Sequence, residues 1–112
     1  MSLYKIILID FQFSDSPKQK LRPALILSKR DIHEDVIAAA ISSKINKARQ
    51  TGDVFISSND DDFKLTGLKA SSIIRLNKLT TVNSKRISGE LGVLPHSYET
   101  AIKRQLREIF SI

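Results

Sequence analysis

The sequence predicts a mainly β fold, a small and strongly curved barrel whose open side is closed by a C-terminal helix. Two observations carry this: a succession of short Ile-, Val- and Leu-rich segments separated by turn formers, and a change to helical spacing after Ser97. With 112 residues and 41% hydrophobic content, the chain has the size of one ordinary domain and enough apolar side chains for one core without metal or disulfide support.

Tyr4 to Phe13 reads as the first strand, with Asp10 and Gln12 alternating against Ile9, Phe11 and Phe13 near its end. Ser14 to Lys20 combines turn formers with charge, and Pro23 opens a second strand, Ala24 to Leu27, at a position that need not donate to a ladder. Val36 to Ile41 is a third strand, although the alanines at 38, 39 and 40 leave a helix as the competing reading. Gly52 to Ser57 makes a fourth, with Val54 and Ile56 alternating against Asp53 and Phe55. The acidic run Ser58 to Asp62 ends it as a solvated turn; a calcium loop is excluded because the glycine and glutamate such a loop needs at its sixth and twelfth positions are missing. Ser72 to Leu76 and Lys78 to Val82 read as two further β pieces, and Arg86 to Val93 as a last strand interrupted by Gly89 and Gly92. Tyr98, Ile102, Leu106, Ile109 and Phe110 then fall on one helical face, with Ser97 as the expected N-cap and Glu99 in the first turn, where a negative charge favours the helix dipole.

The chain contains no cysteine, which excludes a disulfide scaffold, a thiolate nucleophile and a cysteine-ligated zinc. No stretch reaches the roughly 18 apolar residues that a membrane span needs, so a soluble, cytoplasmic protein with no membrane partner is expected. Lys plus Arg number 18 against 12 for Asp plus Glu, a net charge of +6. Such a balance suits a nucleic acid or an acidic protein partner, and equally a solvated basic surface.

Several segments in order carry a resemblance. Ile6 to Phe13, Arg22-Pro-Ala-Leu-Ile-Leu-Ser28, Ile41-Ser-Ser-Lys44, Gly67-Leu68, Ser72-Ile-Ile-Arg75-Leu-Asn77, Leu79 to Val82 and Arg86-Ile87 through Gly92 together resemble the ordered motifs of the PemK/MazF family, over nearly the whole chain. The resemblance implies a homodimeric SH3-like β-barrel of the PemK/MazF/CcdB type. It further implies a toxin that cleaves single-stranded RNA without metal or other cofactor and is held in check by a cognate acidic antitoxin. The same fold also houses CcdB-type gyrase poisons, so function must be argued from the site.

Metal-free RNA cleavage needs a base for the 2'-hydroxyl proton, an acid for the leaving 5'-oxygen, and fixed donors on the phosphate. By resemblance, Arg22 is the phosphate-stabilising arginine after the first loop; a guanidinium donates to two phosphate oxygens at once and stays charged. Ser42 stands where the family carries a phosphate-binding hydroxyl, with Ser43 beside it and Ala40 where a proline is common. Arg75 and Asn77 match an arginine and an aspartate that act as acid and base in one branch, and strand alternation would put both on one face. Asn77 is an amide and cannot take the proton as a carboxylate can. The first-loop glutamate of another branch is also missing, its stretch offering Gln19 and lysines, so the nearest carboxylates are Asp10 and Asp15. His33 and His96 read as surface histidines, and Phe11 and Phe13 as core rather than stacking platforms. Lys18, Lys20, Ser43 and Lys44 are the candidate RNA contacts, within a basic rim expected to gather Lys29, Arg30, Lys47 and Arg49 as well. The expectation is an endoribonuclease, with a catalytically silent module that only binds RNA or antitoxin as the rival favoured by Asn77 and Gln19.

Overall fold

In a computed structural model, which describes residues 2–10, 20–45 and 49–112, the chain runs β1 (Lys5–Asp10), β2 (Leu21–Ile26), β3 (Asp35–Ser42), β4 (Asp53–Ile56), β5 (Ser72–Asn83), β6 (Ile87–Val93) and α1 (Glu99–Phe110). Three short 3₁₀ turns, Phe63–Thr66, Ser84–Arg86 and His96–Tyr98, lie between them. The strands form one six-stranded antiparallel sheet in the order β4-β5-β3-β2-β1-β6. The mainly β reading with a terminal helix therefore holds, but hydrogen bonding leaves β4 and β6 as the two sheet edges.

What joins those edges is the connection from residue 57 to 71. It leaves β4, packs against β6, and returns to β5. Two glycines make the approach possible: a Cβ on Gly92 would stand 2.1 Å from the Leu65 carbonyl oxygen, and one on Gly67, whose φ is 70°, would stand 2.1 Å from that of Leu91. The register between β1 and β6 slips once on each side of the Ile7–Leu8 pair, which leaves Leu91 unpaired beside this contact.

Alternation along the strands splits the apolar residues into two cores. Ile6, Leu25, Ala39, Ile41, Val54, Ile74 and Leu76 share one face, where Ile102, Leu106 and Ile109 of α1 and Phe63 and Leu68 cover them. Ile7, Ile9, Ala24, Ile26, Val36, Ala38, Ala40 and Val82 share the other, with Ile87 against them. Because β3 is buried on both faces, its three alanines are at most 1% exposed, and small side chains there allow close packing rather than signalling a helix.

Several sequence-based boundaries shift. β2 starts at Leu21, so Arg22 and Pro23 lie inside it; pairing with β3 begins only at Ala24, so the proline stands where that ladder stops. The two pieces expected at 72–76 and 78–82 are one strand, β5, but its pairing with β3 jumps from Arg75 to Leu79 opposite the adjacent Ala40 and Ala39. Asn77 falls in that jump. Ser97 is not the cap of α1: it lies within the 3₁₀ turn, Tyr98 occupies the cap position without a side-chain bond, and His96 Nδ1 meets Glu99 Oε2 at 2.9 Å. Phe110, expected on the apolar face, is 55% exposed. No helix among the described residues is long and apolar enough to cross a membrane.

Candidate functional site

At one end of the sheet, where β1 ends, β2 begins and β3 ends, a cleft of about 410 Å³ opens toward the 67–70 segment. Four of the sequence-predicted residues line it: Lys20, Arg22, Ser42 and Ser43. The ladder explains the convergence. Ala24 pairs with Ala40, so the same register carried outward sets Arg22 opposite Ser42 and Leu21 opposite Ser43. Arg22 and Ser42 thus form one cross-strand row on the face of Ile9, while Leu21 and Ser43 extend the opposite face, on which Leu8, Pro23 and Ile41 make an apolar wall.

The Ser42 hydroxyl oxygen accepts the backbone N–H of Lys44 at 3.1 Å. That bond occupies a lone pair and leaves the hydroxyl proton available for a phosphate oxygen. Lys44 itself stands outside the cleft lining and enters the site through its backbone alone. The far wall adds a residue that sequence reasoning passed over: Lys69, exposed and carried on the segment that Gly67 and Gly92 pin to β6. Its signal was its position directly after Gly67-Leu68. Arg22, Lys20 and Lys69 thereby surround a partly apolar slot with positive charge, a combination suited to a phosphate and its attached sugar.

Arg75 and Asn77 do not join this cluster. Arg75 lies on the same sheet face as Arg22 and Ser42, but its Nη1 stands 3.5 Å from both carboxylate oxygens of Asp53 on β4. Both partners are withdrawn from solvent, with side chains 13% and 1% exposed. The Asn77 amide donates to the Thr51 carbonyl instead, next to Gly52, whose N–H is taken by Gln105 Oε1 of α1 at 2.7 Å. A Cβ on Gly52 would stand 2.2 Å from the Asn77 amide nitrogen, so this corner is closed tightly. Strand alternation fails to aim residues 75 and 77 at one phosphate because the register jump from Arg75 to Leu79 takes in Asn77. Asp53, which the sequence offered only as an alternating polar residue, is the carboxylate that faces Arg75.

The basic rim divides in the same way. Lys29 and Arg30 follow the far end of β2, about 20 Å from its start for six residues, and Arg30 pairs there with Glu34 at 3.4 Å. Arg49 stacks over Phe55 with 4.2 Å to the ring centroid. His33 belongs to the β2–β3 turn, where the Asp31 carboxylate accepts the N–H groups of His33 and Asp35; that acceptance, from Asp35 foremost, holds the Asp31 carboxyl below its ordinary range. Phe11, Phe13, Asp15, Lys18, Gln19 and Lys47 lie outside the described residues.

A family model described as PemK-like, MazF-like toxin of type II toxin-antitoxin system matches residues 3–110. The fold is similar to that of a Mycobacterium tuberculosis toxin, MazF-mt6, with a TM-score of 0.74 at 20% identity, covering 96% of this chain and 97% of that one. It is also similar to an endoribonuclease in complex with its cognate antitoxin from a mycobacterial species, with a TM-score of 0.72 at 16% identity over 98% and 94% of the two chains. No curated protein sequence matches the chain at a significant level.

Proposed function

The chain belongs to the PemK-like, MazF-like toxins of type II toxin-antitoxin systems, and on that premise we propose that it is an endoribonuclease that cuts single-stranded RNA in the β1–β2–β3 cleft without a metal. The observation that carries this reading is that Arg22 of β2 and Ser42 of β3, just beyond the last β2–β3 ladder pair, line one slot together with Lys20 and Lys69. In it, the Arg22 guanidinium donates to the phosphate oxygens and opposes the charge that builds on them as the 2'-oxygen attacks. The Ser42 hydroxyl, its oxygen already engaged by Lys44 N–H, donates to the same phosphate. Lys20, Ser43 and Lys69 hold the flanking backbone. Arg75 keeps its place against Asp53 and supports the sheet behind the site. The products are a 2',3'-cyclic phosphate and a 5'-hydroxyl.

A cognate acidic antitoxin fits the net charge of +6, and an endoribonuclease of similar fold stands in complex with its cognate antitoxin. A homodimer and a cytoplasmic location follow from the family resemblance. The rival reading, a module that binds RNA or antitoxin without cutting, draws on the Asn77 amide, which stands in the place of a carboxylate and is committed to Thr51.

Incubating the protein with long single-stranded RNA in excess EDTA separates the two. Cutting with cyclic-phosphate and 5'-hydroxyl ends, lost in Arg22→Ala, is expected. Ends bearing 3'-hydroxyl and 5'-phosphate, or a strict magnesium requirement, would sink the mechanism; intact RNA retarded on a gel, with binding that weakens steeply in salt, would establish the binding module.

A further inference from the structure

Among the described residues, the buried polar side chains are Thr66 and Ser72, 0% and 3% exposed. They bracket the segment 67–70, which forms the far wall of the cleft. The Thr66 hydroxyl donates to the Phe63 carbonyl at 2.7 Å and accepts the Leu68 N–H at 3.0 Å, and the Ser72 hydroxyl donates to the Ala70 carbonyl at 2.9 Å. Between them Leu68 packs against the first core, and Gly67 makes its left-handed turn against Leu91 of β6. A buried hydroxyl is tolerated where its bonds are made. Here both hydroxyls make theirs to the wall of the cleft, one at each end of it.

A segment pinned in this way holds its remaining backbone groups in fixed directions. The N–H groups of Lys69 and Ala70 and the carbonyls of Gly67, Leu68 and Lys69 have no hydrogen-bond partner among the described residues. Lys69 and Ala70 are exposed and line the slot, so these donors and acceptors stand open to a ligand. On the sheet side the slot offers Leu8, Pro23 and Ile41, aliphatic surface against which a flat ring can lie, and no aromatic side chain among the described residues on which it could stack. Stacking accepts any base, because every base has a π face. Hydrogen bonds to a base edge discriminate, and in single-stranded RNA those edges are free to make them.

We propose that residues 67–70 are the base-reading wall of the cleft: a nucleobase of the bound RNA lies against the aliphatic side, and its edge exchanges hydrogen bonds with the backbone of the 67–70 segment. Thr66 and Ser72 are positioning residues that act through that backbone. Donors and acceptors that cannot turn are left unpaired by the wrong base, and this is the source of selectivity. The inference rests on the reading of the cleft as an RNA site. Lys69 then serves twice: its ammonium meets a phosphate whatever the sequence, and its peptide groups meet a base.

The test exposes wild type, Ala70→Leu, Thr66→Val, Thr66→Ser and Lys69→Gln to a randomised pool of short single-stranded RNA with 2'-fluoro sugars, which cannot be cut. The bound fraction is sequenced, melting temperatures are taken for all, and cutting of a long natural RNA is followed alongside. Wild type should favour one base at one position by about tenfold or more. Ala70→Leu, which adds bulk on the exposed wall and touches no buried group, should erase or change that preference at an unchanged melting temperature. Thr66→Val should flatten the preference and Thr66→Ser should keep it, while Lys69→Gln weakens all sequences alike. A wild type without base preference would overturn the assignment, as would a preference that survives intact in Ala70→Leu. A Thr66→Val variant that melts lower but ranks sequences as wild type does would overturn the role of Thr66 as a positioning residue. If wild type selects a base and Ala70→Leu loses it, yet the long RNA stays uncut, the base-reading wall stands and the ribonuclease reading alone falls.

Discussion

Two corners of the sheet use similar residues to opposite ends. At the cleft, Arg22, Lys20 and Lys69 surround a slot of about 410 Å³ beside Ser42. At the corner where β4 and β5 meet α1, the half-buried Arg75 faces Asp53, Asn77 is committed to Thr51, and Gln105 to Gly52. One arginine faces a space into which a ligand can come; the other already has its anion. A guanidinium is free to stabilise a transition state only where the fold has not supplied a partner for it, so partnership, more than residue type or strand position, separates reactive from structural charge. The difference can be broken or sharpened by substitution at either corner.

The largest effect is expected at the closed corner. Asp53→Ala removes the carboxylate, 1% exposed, that faces Arg75, and also the acceptor of the Gln50 N–H at 3.1 Å. Breaking a buried pair by deleting one partner leaves the other charge stranded, at a cost of about 3–5 kcal/mol. A urea denaturation midpoint should fall accordingly, and adding Arg75→Leu should recover part of the loss because it removes the stranded charge. A midpoint unchanged in Asp53→Ala would mean that the pair is ornamental and would reopen Arg75 as a site residue. At the cleft, Arg22→Ala should do the reverse: slow cleavage by roughly 10²–10³, or about 3–4 kcal/mol on the barrier, while moving the midpoint little, since among the described residues Arg22 has no ion pair to break. If instead the midpoint drops and the rate per folded molecule holds, the two arginines would have exchanged roles.

The cleft was the more legible corner because its geometry follows from local pairing. Arg22 and Ser42 stand on adjacent strands joined through a single hairpin, so two-residue alternation and one register bring them together. The sequence segment around Asn77 also carried a signal, in the form of a break between two β pieces, but its meaning was not legible. Alternation predicts a shared face for residues 75 and 77; the three-residue jump opposite Ala39 and Ala40 depends on how β5 bends to follow both β3 and β4, which is a property of the whole sheet. Asp53 was invisible as Arg75's partner for the same reason, since 22 residues separate them. The helix start was misplaced by local logic as well: Ser97 has the chemistry of a cap, but it is taken up in the turn after Pro95.

Asn77→Asp tests the corner from the other side, by restoring the carboxylate that one branch of the family carries. If position 77 faced a phosphate, activity would rise. The Asn77 amide nitrogen donates to the Thr51 carbonyl, and a carboxylate there would set oxygen against oxygen. No gain in cutting is therefore expected, together with a stability loss of no more than about 1 kcal/mol, since residue 77 is exposed and water can reach the unpaired acceptors. A gain in cutting without loss of stability would show that the bend in β5 opens when RNA binds, and would bring Arg75 back into the chemistry.

The smallest effect separates a working cation from a bystander within one connection. Lys69 lines the cleft, whereas Lys64, also exposed, lies outside its lining on the 3₁₀ turn that precedes Gly67. A lysine that touches a phosphate displaces a condensed counterion, and each such contact on a single strand adds about 0.7 to the slope of log affinity against log salt. Lys69→Gln should therefore shallow that slope by about 0.7 and weaken binding evenly across RNA sequences, while Lys64→Gln should leave the slope unchanged. The measurement is a salt titration of binding to a short RNA, made in the Arg22→Ala background so that cutting does not intrude. Equal slopes in both variants would mean that RNA follows net charge rather than the cleft; a change in Lys69→Gln alone places the backbone against the wall that Gly67 and Gly92 hold to β6.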